Sequence, residues 1–234
     1  MNVLCQKKYN NGDIMKITIT KIFFPEIKAK QRDAHKLRGY FGAVFKEEST
    51  LLHNHFENGE TIYGYPLVQY KIINNIPYLI GINEGANLLF DLFLRIKEIK
   101  INNNIYKIFN KQINLFDTEI GLSDKIEKYK FISIWLALNQ ANYKKYCSYI
   151  EEEDKIYLLE KIIIGNILSM YKYFGYRVEE KITAKIELEE KRAVVKGVDM
   201  LGFIGNFYTN AIIPSYLGLG KLVSRGFGSI LRIN

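Results

Sequence analysis

The sequence predicts an α+β protein built from two tandem units of one kind. Three observations carry this reading. Apolar and polar residues alternate in short runs that come in hairpin pairs, helix-spaced segments separate those pairs, and the second half of the chain restarts the order of the first. A length of 234 residues accommodates two small domains, and 48% hydrophobic residues are ample for packed cores.

In the first half, Asp13–Phe24 (DIMKITITKIFF) alternates and reads as a strand. Ala34–Phe45 (AHKLRGYFGAVF) places Leu37, Phe41 and Val44 at helical spacing. STLLHNHFENGET follows as a loop or helix end. Ile62–Ile72 and Ile76–Ile82 read as strands joined by Asn74-Asn75, a two-residue hairpin turn. NEGANLLFDLFLRI reads as a second helix, and IKEIKI, Asn102–Asn104 and IYKIFNKQI as a further hairpin. The order β-α-β-β-α-β is ferredoxin-like.

The second half begins with a strand candidate at Lys128–Leu138, then a helix candidate, NQANYKKYCSYI, and a longer helix at Leu158–Phe174 that ends at Gly175. KITAKIELEEKRAVVKG reads as a hairpin turning near Glu190-Lys191. GFIGNFYTNA and GSILRI are the closing strands. The division is expected near Asp117–Asp124, giving two ferredoxin-like (RRM-like) units at 1–117 and 118–234, the second with a C-terminal glycine-rich loop.

Composition excludes several classes. No apolar run approaches the roughly 18 residues of a membrane-spanning helix, and the N-terminus lacks the apolar stretch of a signal peptide. A cytoplasmic protein with no membrane partner is expected. Cys5 and Cys147 stand alone without a CxxC spacing, which argues against a structural zinc site and a disulfide scaffold. The net charge of +8 attracts polyanions. The chain is also rich in Ile and Asn, a bias that inflates lysine, so the placement of charge says more than its sum. From Met200 to Asn234 there is no Asp or Glu, while Lys221, Arg225 and Arg232 are present.

That acid-free tail contains GLGKLVSRGFG. Gly218, Gly220, Gly226 and Gly228 bracket Lys221, Ser224, Arg225 and Phe227. A P-loop needs Ser or Thr after its Gly-Lys, and Leu222 stands there. A dinucleotide loop opens a helix, whereas an apolar strand follows here. A basic loop of this kind can bring backbone N–H groups, cations and one stacking ring to an RNA backbone, or it can simply reverse the chain.

Only three histidines occur: His35, His53 and His55. As metal ligands, the His53-x-His55 pair would need His35 and lacks a clear acidic cluster. As general acid and base they suit RNA cleavage, because the 2′-OH is a built-in nucleophile and an imidazole titrates near neutral pH. Such a reaction needs no cofactor and no metal. The tyrosines Tyr63, Tyr65, Tyr70 and Tyr78 cluster in one expected hairpin. Sheet packing accounts for them, and no RNP-type motif is present.

These segments resemble the Cas-six family of CRISPR-associated endoribonucleases. GLGKLVSRGFG fits its C-terminal pattern GxGxxxSxGFG, KLRGYFGAVF is similar to its first helix, and LLHNHFENGETIYGYPLVQYK to the histidine-bearing loop and next strand. The resemblance implies paired ferredoxin-like domains and metal-free cleavage of repeat RNA on the 3′ side of a stem, leaving a cyclic phosphate. It implies a catalytic histidine between the first helix and second strand, at His55 or at His53. Some members add a tyrosine in the first helix, near which Tyr40 lies, and a lysine soon after the histidine. No lysine follows His55 before Lys71, so Arg38 or Lys36 would supply the charge. Gly218, Gly220, Lys221, Ser224, Arg225, Gly226, Phe227 and Gly228 would grip the RNA. The partner implied is the repeat RNA of precursor CRISPR transcripts, with effector-complex subunits and a second copy of the chain as further candidates. Related superfamily members carry glycine-rich loops without cutting, so a binding protein and a metal-dependent nuclease remain alternatives.

Overall fold

The computed structural model describes residues 14–52, 64–195 and 197–233, together with the backbone of residues 10 and 11. After the two-residue strand β1 (Asn10–Asn11), the first unit comprises β2 (Met15–Phe23), α1 (Ala34–Val44), β3 (Val68–Ile73), β4 (Ile76–Ile82), α2 (Glu84–Leu92), the small hairpin β5 (Glu98–Ile101) and β6 (Asn104–Lys107), and the first part of β7 (Gln112–Trp135). The sheet order β3-β4-β2-β7, antiparallel throughout, is that of a ferredoxin-like unit. Asn74 and Asn75 both take positive φ (51° and 64°), which closes the β3–β4 turn with the twist a hairpin favours. The strand expected from Ile62 starts only at Val68. Pro66 lacks the N–H that a ladder needs, and Ile62 lies outside the described residues.

The second unit reuses β7 and adds α3 (Gln140–Ser148), α4 (Glu152–Phe174), the short β8 (Tyr176–Arg177, parallel to β1), β9 (Ala184–Val195), β10 (Val198–Ile212) and β11 (Ile230–Ile233). Its strands run β11-β7-β10-β9, again the ferredoxin-like order. The stretch from 213 to 229 holds the glycine-rich loop where the second helix of such a unit would stand. The hairpin turn expected at Glu190-Lys191 is instead continuous strand. The reversal comes between the paired Val195 and Val198, where Gly197 takes φ +78°, and the charged pair at 190–191 sits paired in the ladder.

The expected division at 117/118 falls inside β7, which does not break. Its partner changes from β2, ending at Met15↔Ile120, to β10, beginning at Ile212↔Gly121. Gly121 has φ +153°, and the Tyr171 hydroxyl of α4 lies 2.8 Å from both the Gly121 and Ile212 carbonyls.

One core lies between α1, α2 and one sheet face, around Ile22, Leu37, Phe41, Tyr70, Leu79 and Leu89. The other packs Ile163, Ile167 and Met170 of α4 on Phe131, Trp135, Phe203 and Phe207, and continues to Ile17, Ile19, Ile80 and Ile82 on the opposite face of the first sheet. That sheet is therefore buried on both faces. α4 begins with Glu152, Glu153 and Asp154 at its positive end and ends on left-handed Gly175. Among the described residues no helix is long and apolar enough to cross a membrane.

The face assignment of α4 yields a paired prediction. Ile167→Ala, at a fully buried site, should lower the unfolding free energy by about 2–5 kcal/mol in urea titrations. Leu168→Ala next to it, 41% exposed, should change it by no more than about 0.5 kcal/mol. Equal costs would mean that the helix presents a different face to the core.

Candidate nucleic-acid interface

α1 has two faces with opposite chemistry. Ala34, Leu37 and Phe41 are buried, while His35, the pairs Arg38-Gly39 and Gly42-Ala43, and Lys46 just past the helix end recur at three- and four-residue spacing on another face. That second face forms one wall of a groove of about 1180 Å³. Arg225, Gly226 and Phe227 of the glycine-rich loop and Arg192 to Val195 of β9 form its other walls, with Ile134 of β7 also lining it. Lys30, Arg32, Lys36, Arg38, Lys46, Arg192 and Arg225 all line it, and no described lining residue is Asp or Glu. Of these cations, Lys36 is bridged to Asp33 at 2.8 Å. Burial, and then the charge of Arg225, push the Arg38 guanidinium below its ordinary value. Two guanidinium groups from opposite units thus face one cavity with no acid among its described lining residues, an arrangement that favours an anion. His35 also lines the groove, its Nδ1 2.8 Å from the Arg32 carbonyl.

The structure brings together some of the residues singled out in the sequence and separates others. Arg38, Arg225, Gly226 and Phe227 share the groove. Tyr40 does not line it. Its hydroxyl donates to the Glu98 carbonyl at 3.1 Å, toward the β5–β6 hairpin. Lys221 donates to the Leu138 carbonyl at 3.1 Å, and Ser224 sits in the single 3-10 turn Val223–Arg225. His53 and His55 lie outside the described residues. Leu52, just before them, is buried, and its carbonyl accepts a 3.0 Å bond from the Tyr70 hydroxyl. Tyr70 in turn is an electrostatic neighbour of Arg38.

The loop is held by close packing. Gly226 has φ +88°, and a Cβ there would come within 2.7 Å of the Ala34 Cβ and 3.1 Å of the Tyr70 carbonyl. Gly220 has φ +84° and abuts the Trp135 indole, whose Nε1 donates to Asn166. Gly218 and Gly228 press on Val223 and the Leu219 backbone. Three of the four glycines therefore serve internal packing away from the groove, and Gly226 serves both packing and the groove. Behind Gly226, Lys71 of β3 is buried and donates to Ser229 Oγ at 2.8 Å, and the Ser229 amide donates to Ser133 Oγ at 2.8 Å.

Residues 15–119 match the Cas6b N-terminal domain and residues 121–233 the Cas6b C-terminal domain. The chain belongs to the Cas6b family. A solved Cas6b structure superposes with a TM-score of 0.89 at 40% identity, covering 94% of this chain and all of that one. A second, a CRISPR RNA processing endoribonuclease Cas6b, gives 0.77 at 36% identity over the same shares. An uncharacterised protein of Methanocaldococcus jannaschii is 44% identical over 144 residues, 61% of this chain and 97% of the relative. The tandem ferredoxin-like arrangement is that of this Cas6b family.

Sequence reading missed Lys30, Arg32, Lys46 and Arg192 as groove residues of this Cas6b-family chain. The helical spacing of 35, 38, 42 and 46 could have revealed the α1 face, whereas no local signal brings Arg192 of β9 to it.

Burial lowers the Lys71 ammonium to about 7, against about 10.4 in an unfolded chain. Between these values the unfolded chain binds more protons, so the lysine's contribution to stability rises with pH and its penalty is fullest below about 7. In denaturant titrations, wild-type stability should gain on that of Lys71→Met from pH 7 to pH 9. A constant difference would show an unshifted lysine.

Proposed function

We propose that this chain cuts repeat RNA in precursor CRISPR transcripts, holding the backbone in the groove between α1 and the glycine-rich loop. The observation that carries this reading is the set of seven Lys and Arg residues lining one groove free of described acids, in a chain of the Cas6b family. Phosphates are the natural counter-charge for such a groove. Residues 1–117 would supply the chemistry and 118–234 the loop.

In this route His55, or His53, takes the proton of the 2′-OH. The 2′-oxygen attacks the adjacent phosphorus, and the bond to the 5′-oxygen breaks as an imidazolium protonates that leaving atom. The products are a 2′,3′-cyclic phosphate and a 5′-hydroxyl. Arg38 would stabilise the charge on the pentacovalent phosphorus, and Arg225 would hold the RNA backbone beside it. No metal takes part. Tyr40, bonded to the Glu98 carbonyl, has no role in these steps.

Cleavage of repeat RNA should continue in EDTA and stop when the scissile nucleotide is 2′-deoxy. Loss of cutting in EDTA would refute the metal-free route, and binding without cutting would leave an RNA-binding protein. His55→Ala should slow single-turnover cleavage by about 10²–10⁴-fold. Wild-type rates in both His55→Ala and His53→Ala would place the chemistry elsewhere. Separately, Arg225→Ala should weaken binding and reduce the slope of log affinity against log salt by about 0.7–0.9. An unchanged slope would remove Arg225 from the phosphate contacts.

A further inference from the structure

Lys71 stands out because nothing in the cleavage route uses it. It is 1% exposed, so its ammonium reaches neither solvent nor the groove. Its one described acceptor is the neutral Ser229 hydroxyl. A buried lysine with no carboxylate among its described partners is expensive, and an apolar side chain of similar volume usually packs there at lower cost. Packing alone therefore does not account for a lysine at this place.

Its partner explains it better. Ser229 closes the glycine-rich loop: its amide donates to Ser133 Oγ on β7, its carbonyl accepts from the Ile132 amide at 2.8 Å, and its hydroxyl lies 3.5 Å from the Gly226 carbonyl. Gly226 itself rests on the Tyr70 carbonyl, next to Lys71 in the same strand. One residue before it, Arg225 enters the groove.

We propose that Lys71 is a positioning residue for RNA binding: from β3 of the first unit it fixes, through Ser229, the segment of the second unit that carries Arg225 into the groove between them. The proposal rests on the groove being the RNA site. Lys71 acts on the grip and not on the reacting atoms. Its removal should therefore raise the dissociation constant and leave the rate at saturation unchanged.

The test uses Lys71→Met, Ser229→Ala and the double variant of the full chain. Three quantities are measured: amide hydrogen exchange without RNA, affinity for 2′-deoxy-blocked repeat RNA, and single-turnover cleavage at saturating protein. Exchange in peptides covering 218–229 should speed up at least about tenfold in Lys71→Met, with the α4 peptides unchanged, as expected for local opening. Affinity should fall roughly 2–13-fold, the scale of losing one ordinary hydrogen bond. The saturating rate should stay within about twofold. The double variant should bind no worse than Lys71→Met, because both changes break one linkage.

Wild-type loop exchange in Lys71→Met, or additive losses in the double variant, would overturn the proposal. So would a collapse of the saturating rate at unchanged affinity. If the α4 peptides also opened in Lys71→Met, Ser229→Ala would decide, since it leaves the lysine in place and must still loosen the loop. A wild-type protein that fails to bind repeat RNA removes the reading of the groove, and this proposal with it. Normal wild-type binding with an unaltered Lys71→Met removes this proposal alone.

Discussion

β7 has to satisfy two sheets at once. From Gln112 to Ile120 it pairs with β2, and from Gly121 onward with β10 and then also β11. A strand shared in this way leaves little freedom for the two units to turn against each other, because a one-residue slip would exchange buried and exposed side chains in both ladders. The exchange of partners is concentrated at Ile120–Gly121, where glycine tolerates φ +153° and the Tyr171 hydroxyl meets the carbonyls of both strands. The groove depends on this junction. α1 belongs to one side of it, Arg225 and Arg192 to the other, and only a fixed relation between the units brings their charges to one cavity.

The glycine-rich loop is the second place where the units meet. Gly226 needs both its left-handed backbone and its missing side chain, since Ala34 and the Tyr70 carbonyl occupy the space where a Cβ would go. The loop's glycines are chiefly shape, and the side chains it presents to the groove are those of Arg225 and Phe227. This also explains why the loop does not become the second helix of its unit. A helix would carry side chains on every residue and could not approach α1 and β3 so closely.

Much of the fold was legible in the sequence, for local reasons. Alternation marked β2 and β4, Asn74-Asn75 marked their neighbour's hairpin, and Gly175 marked the end of α4. The failures were also local. Glu190-Lys191 has the polarity of a turn, yet Gly197 is the residue able to make one. For the site, the motif led to Arg225 and the first helix led to Arg38. Arg192 was invisible, because only the pairing of β9 beside β7 and β10 brings it there. Tyr40 stands two residues on from Arg38, about 200° further round the helix, and bonds to the Glu98 carbonyl instead of lining the groove. His53 and His55 lie outside the described residues, so the case for them remains one of chemistry and sequence.

A cavity lined by like charges works against its own assembly. Arg38 and Arg225 lie on separate units, and burial, then the charge of Arg225, lower the Arg38 pKa, the second because the two groups repel. The contacts that close the seam must exceed that repulsion while the groove is empty. They are apolar and backbone contacts at Gly226, the shared strand β7, and the Lys71–Ser229–Ser133 chain. None of these needs a carboxylate, and a carboxylate placed at the seam would have neutralised the groove. A buried lysine bonded to a serine fastens the loop without adding a competing anion. In the proposed reading, phosphates entering the groove would relieve the repulsion between the two arginines and so be drawn to it.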